Sequence, residues 1–247
     1  MRENFLSEEE IEAMRSGKTE IDFQKEGGFA ERSWSEYEDV FDLKVDECKG
    51  KTILDVGPSF HFQREAKEKG VDVIAVDPSQ RREVKAEDKF VKGSAQFLPF
   101  KTNSVDKVLA FFSVPAHIDK NDDAEALLSI YEMLRVAKSG GEVRIFPFTP
   151  REIFEKEGIY NLNDPARFPE AKRFKGFNLK ELLDQGQIPY EIRDIKSIDK
   201  NISHNPNIAT GWEKAVQQFI VMQKIDKSNL EPMQQKIEEL LKKRLSK

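Results

Sequence analysis

The chain has 247 residues, 38% hydrophobic and 34% charged, with 18 Phe, a composition that suits one α/β domain with additions and excludes a disordered chain. Lys and Arg number 40 against 45 Asp and Glu, a net charge of −5, and the concentrated basic run Lys242-Lys243-Arg244 lies on a polar helix face, which argues against a nucleic-acid partner. The single Cys48 excludes an intrachain disulfide, His61, His117 and His204 have no zinc-type spacing, and no apolar run reaches the length of a membrane span, so the expectation is a cytoplasmic protein with no metal.

In chain order, residues 1–46 read as a helical extension. Ser7-Glu8-Glu9-Glu10 has the form of a capping box, Gly27-Gly28 breaks the chain, and Ser35-Glu36-Tyr37-Glu38 predicts a second box leading into Tyr37, Val40 and Phe41. The main domain is expected over 47–225. Thr52–Gly57 predicts a buried strand ending in a turn, 61–69 a polar helix closed by Gly70, Val71–Val76 a second strand ending at Asp77-Pro78, and Phe90-Val91 a short third. Val105–Phe112 is nearly all apolar, as a central strand buried on both faces requires. A helix follows over 122–138, with Leu127, Ile130, Tyr131 and Leu134 on one face and a stop at Ser139-Gly140-Gly141; Glu142–Phe148 is the fifth strand. Residues 151–177 hold no single period and read as an insertion forming a substrate lid. Asn178–Gln185 predicts a helix boxed by Asn178 and Glu181, with Tyr190–Ile195 and Ala215–Gln223 as strands six and seven. Residues 226–247 form a last helix with Met233, Ile237, Leu240, Leu241 and Leu245 on one stripe. This alternation predicts βαβ units in a doubly wound, mostly parallel sheet with helices on both faces, which takes ligands at the carboxyl ends of its strands.

Four stretches carry chemistry. Ile53-Leu54-Asp55-Val56-Gly57-Pro58-Ser59 places an acid and a tight turn at a strand end, where backbone amides approach a cofactor. Val73–Asp77, followed by Pro78, ends a strand on a carboxylate suited to ribose hydroxyls, about 20 positions after Asp55. Gly93-Ser94-Ala95-Gln96-Phe97-Leu98-Pro99-Phe100 leads into Asn103-Ser104-Val105-Asp106. Leu127–Ile145 contains a helix, a Lys138-Ser139-Gly140-Gly141 turn and a strand.

In order and spacing these stretches resemble the class I S-adenosylmethionine (SAM)-dependent methyltransferases, particularly those acting on small molecules, over roughly residues 51–225. The resemblance implies a Rossmann-like, seven-stranded methyltransferase sheet, SAM as cofactor and a small-molecule methyl acceptor. It places Asp55, Gly57, Pro58 and Ser59 at the methionine end, Asp77 and Pro78 at the ribose, and Ser94, Ala95 and Gln96 at the adenine. Ser94 stands where the family has Asp. Phe112 and Ser113 fall beside the sulfonium. His117, four residues on, has either a packing role or that of a general base. The chain departs from the family's G-x-G-x-G at Pro58, Ser59, Phe60 and His61. That departure leaves an alternative open, a catalytically inactive methyltransferase-like binding or scaffold protein. A nicotinamide-dependent oxidoreductase would use Asp77 equally well but needs the G-x-G-x-x-G that this chain lacks. A homo-oligomer is compatible with the sequence.

Overall fold

A computed structural model describes residues 32–78, 85–111, 113–114, 122–146, 148, 178–195 and 218–246. Two short helices, α1 (Trp34–Phe41) and α2 (Val45–Cys48), precede an alternation of strand and helix. These are β1 (Thr52–Val56), α3 (Phe60–Glu68), β2 (Asp72–Asp77), β3 (Phe90–Lys92), a 3-10 turn (Ala95–Phe97), β4 (Val105–Phe111), α4 (Asp123–Val136), β5 (Ala137–Phe146), α5 (Leu179–Gln185), β6 (Tyr190–Asp194), β7 (Gln218–Gln223) and α6 (Glu231–Leu245). The strands form one sheet in the order β3-β2-β1-β4-β5-β7-β6. β1 to β5 pair in parallel, and β7 runs antiparallel to both β5 and β6. The chain thus forms the mostly parallel, seven-stranded Rossmann-like sheet that its periodicity predicts. The Ser7–Glu10 box, the 151–177 insertion, the start of the seventh strand and His204 lie outside the described residues.

Strand periodicity sorts the core into two layers. On one face Ile53, Val73, Leu109, Phe111 and Phe146 join Trp34, Tyr37, Val40, Phe41, Phe62 and Ala66 from α1 and α3. Aromatic rings dominate this layer. Tyr37 stacks on Phe62 with centroids 3.7 Å apart and meets the Phe111 ring edge-on at 4.8 Å. Phe41 sets its edge against Phe111 and Phe219. Such pairs contribute roughly 0.5–1.5 kcal/mol each beyond their buried area. On the other face α4 is buried almost all round, because α6 covers it with Met233, Ile237 and Leu241. Among the described residues no helix is long and apolar enough to cross a membrane.

The structure corrects three local expectations. The capping box at α1 is Ser33 with Glu36 and not Ser35 with Glu38, because Trp34 belongs to the helix and buries its ring on Phe62. α4 ends at Val136, and Ser139–Gly141 lies within β5, where the pairing shifts from Val105↔Ala137 to Lys107↔Glu142. The extra residues are taken up at Gly140 (φ 76°) and Gly141, where a side chain would press on Asp106 O. On α6, Leu245 is 70% exposed, since the helix runs one turn past the surface it covers.

A buried ionic cluster ties α1 to the middle of the sheet. Arg144 donates through Nη2 to Glu142 Oε2 at 2.7 Å and through Nη1 to the Phe41 carbonyl, while Lys107 Nζ donates to the same Glu142 oxygen. Burial alone would raise the Glu142 pKa, but Arg144 and Lys107 outweigh it and lower the carboxyl from 4.5 to about 2. A depressed carboxyl contributes stability that is present above its unfolded pKa and lost as pH falls through the folded one. The urea midpoint is therefore expected to decline as pH drops from about 4.5 to about 2. Glu142→Gln should start from a lower plateau, since it leaves two buried cations unpaired, and should show a shallower acid decline.

Candidate functional site

From β1 the chain proceeds outward through β2 and β3 to one edge of the sheet, then restarts at β4 on the opposite side of β1. The carboxyl ends of β1 and β4 flank this switch point, where open α/β sheets form a crevice.

β1 ends in a turn that only glycine can make. Gly57 has φ +72°, and its amide donates to Val76 O at 3.0 Å. A Cβ at Gly57 would lie 2.3 Å from the Ser113 Cβ. Ser113, just beyond β4, is drawn in by its own hydroxyl, which donates to Val56 O. Pro58 follows, buried and without an N–H. Ser59 is held from two sides. Its amide donates to Asp55 Oδ2 at 3.3 Å, and its hydroxyl accepts from Arg32 N and donates to Arg32 O, both at 2.8 Å.

Asp55 is fully buried, and the same Oδ2 accepts the Tyr37 hydroxyl at 2.9 Å. Burial first, and then the Asp55 carboxylate, push the Tyr37 phenol well above its ordinary range, against a weaker opposing pull from Arg32. Tyr37 therefore stays protonated and donates. The Arg32 guanidinium lies over the Phe111 ring, 4.6 Å from its centroid, and donates to the Phe111 carbonyl at 3.0 Å. The first acid thus fastens the turn to α1, and α1 brings a cation to the end of β4.

β2 ends at Asp77, 5% exposed, followed by the exposed Pro78. The loop after β3 closes against that end, with Gly93 N donating to Asp77 O at 3.0 Å. A Cβ at Gly93 would meet Pro99 Cδ at 2.7 Å, so this glycine permits the close approach. Ser94 precedes the 3-10 turn, in which Ala95 and Gln96 are buried. The buried polar residues of α4 hold this loop. Gln96 Nε2 donates to Glu125 at 3.2 Å, Leu98 N to Glu132 at 2.9 Å, and Arg135 to the Leu98 and Phe100 carbonyls at 3.0 Å.

Asp55, Gly57, Pro58 and Ser59 thus stand at the end of β1, with Ser113 against them. Asp77 and Pro78 stand at the end of β2, and Ser94, Ala95 and Gln96 follow β3. Phe112 and His117 lie outside the described residues. His61 is on the outer surface of α3, its Nε2 2.8 Å from Glu65 Oε1. The residues that sequence reading missed are Arg32, the Tyr37 hydroxyl, and the Glu125, Glu132 and Arg135 clamp. No spacing marks them, because each acts on a partner 18 or more positions away.

Residues 54–145 match a family model described as a methyltransferase domain, which bears out the resemblance over that span. A solved structure assigned as an S-adenosylmethionine-dependent methyltransferase from Listeria monocytogenes is similar at a TM-score of 0.50 and 14% identity, covering 78% of this chain and 97% of that one. It shows the class I methyltransferase fold. A chain of the Haloferax volcanii complex between the Trm112 methyltransferase activator and its assigned methyltransferase gives 0.49 and 15%, covering 77% of this chain and 91% of that one. The YcgJ protein of Bacillus subtilis gives 0.49 and 18%, covering 77% and 99%. No curated protein matches the sequence.

A side chain at position 57 faces both an unfavourable φ and the Ser113 Cβ. Gly57→Ala is expected to cost at least about 2 kcal/mol in chemical denaturation. Adding Ser113→Gly should recover part of that loss by removing the clash while leaving the φ strain.

Proposed function

We propose that this chain is a SAM-dependent methyltransferase whose acceptor is a small molecule. The observation that carries the proposal is that the three stretches read as cofactor-binding meet at the carboxyl ends of adjacent strands. These are the Gly57 turn, the Asp77 carboxylate and the 93–96 loop. The fit can be judged from the glycines. At Gly57 a Cβ would collide with Ser113 and at Gly93 with Pro99, so both glycines are what lets these turns pack tightly at the strand ends where the cofactor is proposed to lie. The non-catalytic reading draws no support from this arrangement.

In this proposal Asp77 accepts the ribose hydroxyls, and Ser94, Ala95 and Gln96 form the adenine wall. Gln96 contributes surface and backbone, its side-chain amide being given to Glu125. Gly57, Pro58, Ser59, Phe112 and Ser113 border the methionine end. Asp55 acts from beneath by fixing Ser59 and Tyr37. SAM supplies a methyl group activated on a sulfonium, and transfer is an in-line displacement that depends on positioning and exclusion of water. No obligatory catalytic side chain is required for an acceptor that is already nucleophilic. For an acceptor that must lose a proton, His117 is the residue assigned as base. The acidic charge balance, without a basic stripe, favours a small molecule over nucleic acid. Residues 151–177 are proposed as the acceptor-side lid.

Calorimetric titration of the full chain with SAM and S-adenosylhomocysteine tests this. Both should bind in the micromolar range, and Asp77→Ala should weaken binding by about 30-fold or more through loss of charge-assisted hydrogen bonds. No binding of either ligand at millimolar concentration would sink the proposal.

A further inference from the structure

The basic last turn of α6, Lys242-Lys243-Arg244, has no part in the site described so far. α6 lies antiparallel to α4. Near its start Gln234 Nε2 donates to the Tyr131 hydroxyl at 2.7 Å, and further along Arg244 Nη1 donates to Asp122 Oδ2 at 2.6 Å. The two contacts are about 15 Å apart along the helix. Ile237 and Leu241 are buried between them, and Arg244, one turn beyond Leu241, continues on the same side.

Arg244 meets two carboxylates with different duties. Asp122 caps α4, its Oδ1 accepting the Glu125 amide at 3.1 Å while Oδ2 takes the guanidinium. Glu125 is 1% exposed. Its Oε1 lies 3.6 Å from Arg244 Nη1, and its Oε2 accepts Gln96 Nε2 at 3.2 Å. A chain of contacts thus runs from the last turn of α6, through Glu125, to the 3-10 turn after β3. The charges suit both helices, since a cation at a C-terminus and acids at an N-terminus each face the favourable pole. Burying a carboxylate costs free energy, and a guanidinium beside it offsets part of that cost. Only the NH2 end of an amide can face a carboxylate, so Glu125 also fixes the orientation of the Gln96 side chain.

We infer that Arg244 is a positioning residue for the cofactor, acting through Glu125 on Gln96 to set the loop after β3. The inference rests on the cofactor reading above. It gives α6 a part in ligand affinity beyond its cover of α4.

The test is a double-mutant cycle on the full chain. S-adenosylhomocysteine is titrated into the wild type, Arg244→Ala, Gln96→Ala and the double variant, with Arg244→Lys as the conservative rescue. Arg244→Ala is expected to weaken binding about 3- to 10-fold. In the Gln96→Ala background the same change should cost less than about twofold, because the link it acts through is already gone. Arg244→Lys should stay within about twofold of wild type, since it keeps a cation in reach of Asp122 and Glu125. Amide exchange of the ligand-free protein gives a second readout. Arg244→Ala should speed exchange at residues 96–98 and leave β4 and β5 at wild-type rates, which also shows that the variant is folded. Equal losses of affinity in both backgrounds would make Arg244 a purely structural residue and overturn the assignment. So would unchanged affinity in Arg244→Ala, or unchanged exchange at 96–98. If the wild type binds no S-adenosylhomocysteine, the cofactor reading fails and the assignment falls with it, so the wild-type titration separates the two failures.

Discussion

The Asp55 carboxylate is the point on which the site depends. It is buried completely, and a single oxygen accepts both the Tyr37 hydroxyl and the Ser59 amide. A buried charge is tolerated only when it is hydrogen-bonded, so the strand end, the turn and the preceding helix are tied together by the cost of leaving that carboxylate unsatisfied. Tyr37 can serve because it remains a phenol, raised far above its ordinary pKa by burial and by the acid it faces. The ring that carries the hydroxyl is also the centre of the aromatic layer, stacked on Phe62 and edged by Phe111. Packing and polarity thus meet in one side chain, and the residue that closes the core also sets the geometry of the turn.

The opposite side of the crevice is built by a different device. α4 is nearly all buried, yet it carries Glu125, Ser129, Glu132 and Arg135. Ser129 bonds back to the Ala126 carbonyl of its own helix, while Glu125, Glu132 and Arg135 are committed to the segment after β3. Arg135 alone holds the Leu98 and Phe100 carbonyls while pairing with Glu132. The loop after β3 is in this way held from behind by side chains of a rigid helix. Gly93 lets it come within contact of the β2 end.

The fold was legible from periodicity because each strand's apolar run is local. Val105–Phe111 could only be a central strand, and Gly57 and Gly93 sit where turns demand them. Boundaries were harder to read where two local signals competed. Ser33 and Ser35 both open an S-x-x-E, and burial of Trp34 decides between them. Ser139-Gly140-Gly141 looks like a helix stop but serves as an irregular section within β5, because Val105 already pairs with Ala137. The candidate site was legible where a motif lies within one turn, as at Asp55–Ser59, Asp77-Pro78 and Ser94–Gln96, stretches that the sheet brings to neighbouring strand ends. It was not legible where the partner comes from a distant segment. Nothing near Arg32 in sequence says that it will meet Phe111, because that contact exists only once α1 has packed on α3 and β4. Asp55 was expected at the cofactor. In the structure its carboxylate is fully buried and bonds Tyr37 and Ser59.

The central claim is that ligand recognition occurs along the carboxyl ends of β1, β2 and β3, with the segment entering α1 as part of the same surface. Amide hydrogen exchange of the full chain, with and without saturating S-adenosylhomocysteine, tests it most directly. The account predicts slowed exchange concentrated in residues 32–37, 57–61 and 93–98. Protection confined to other segments, or none at all on ligand saturation, would contradict it.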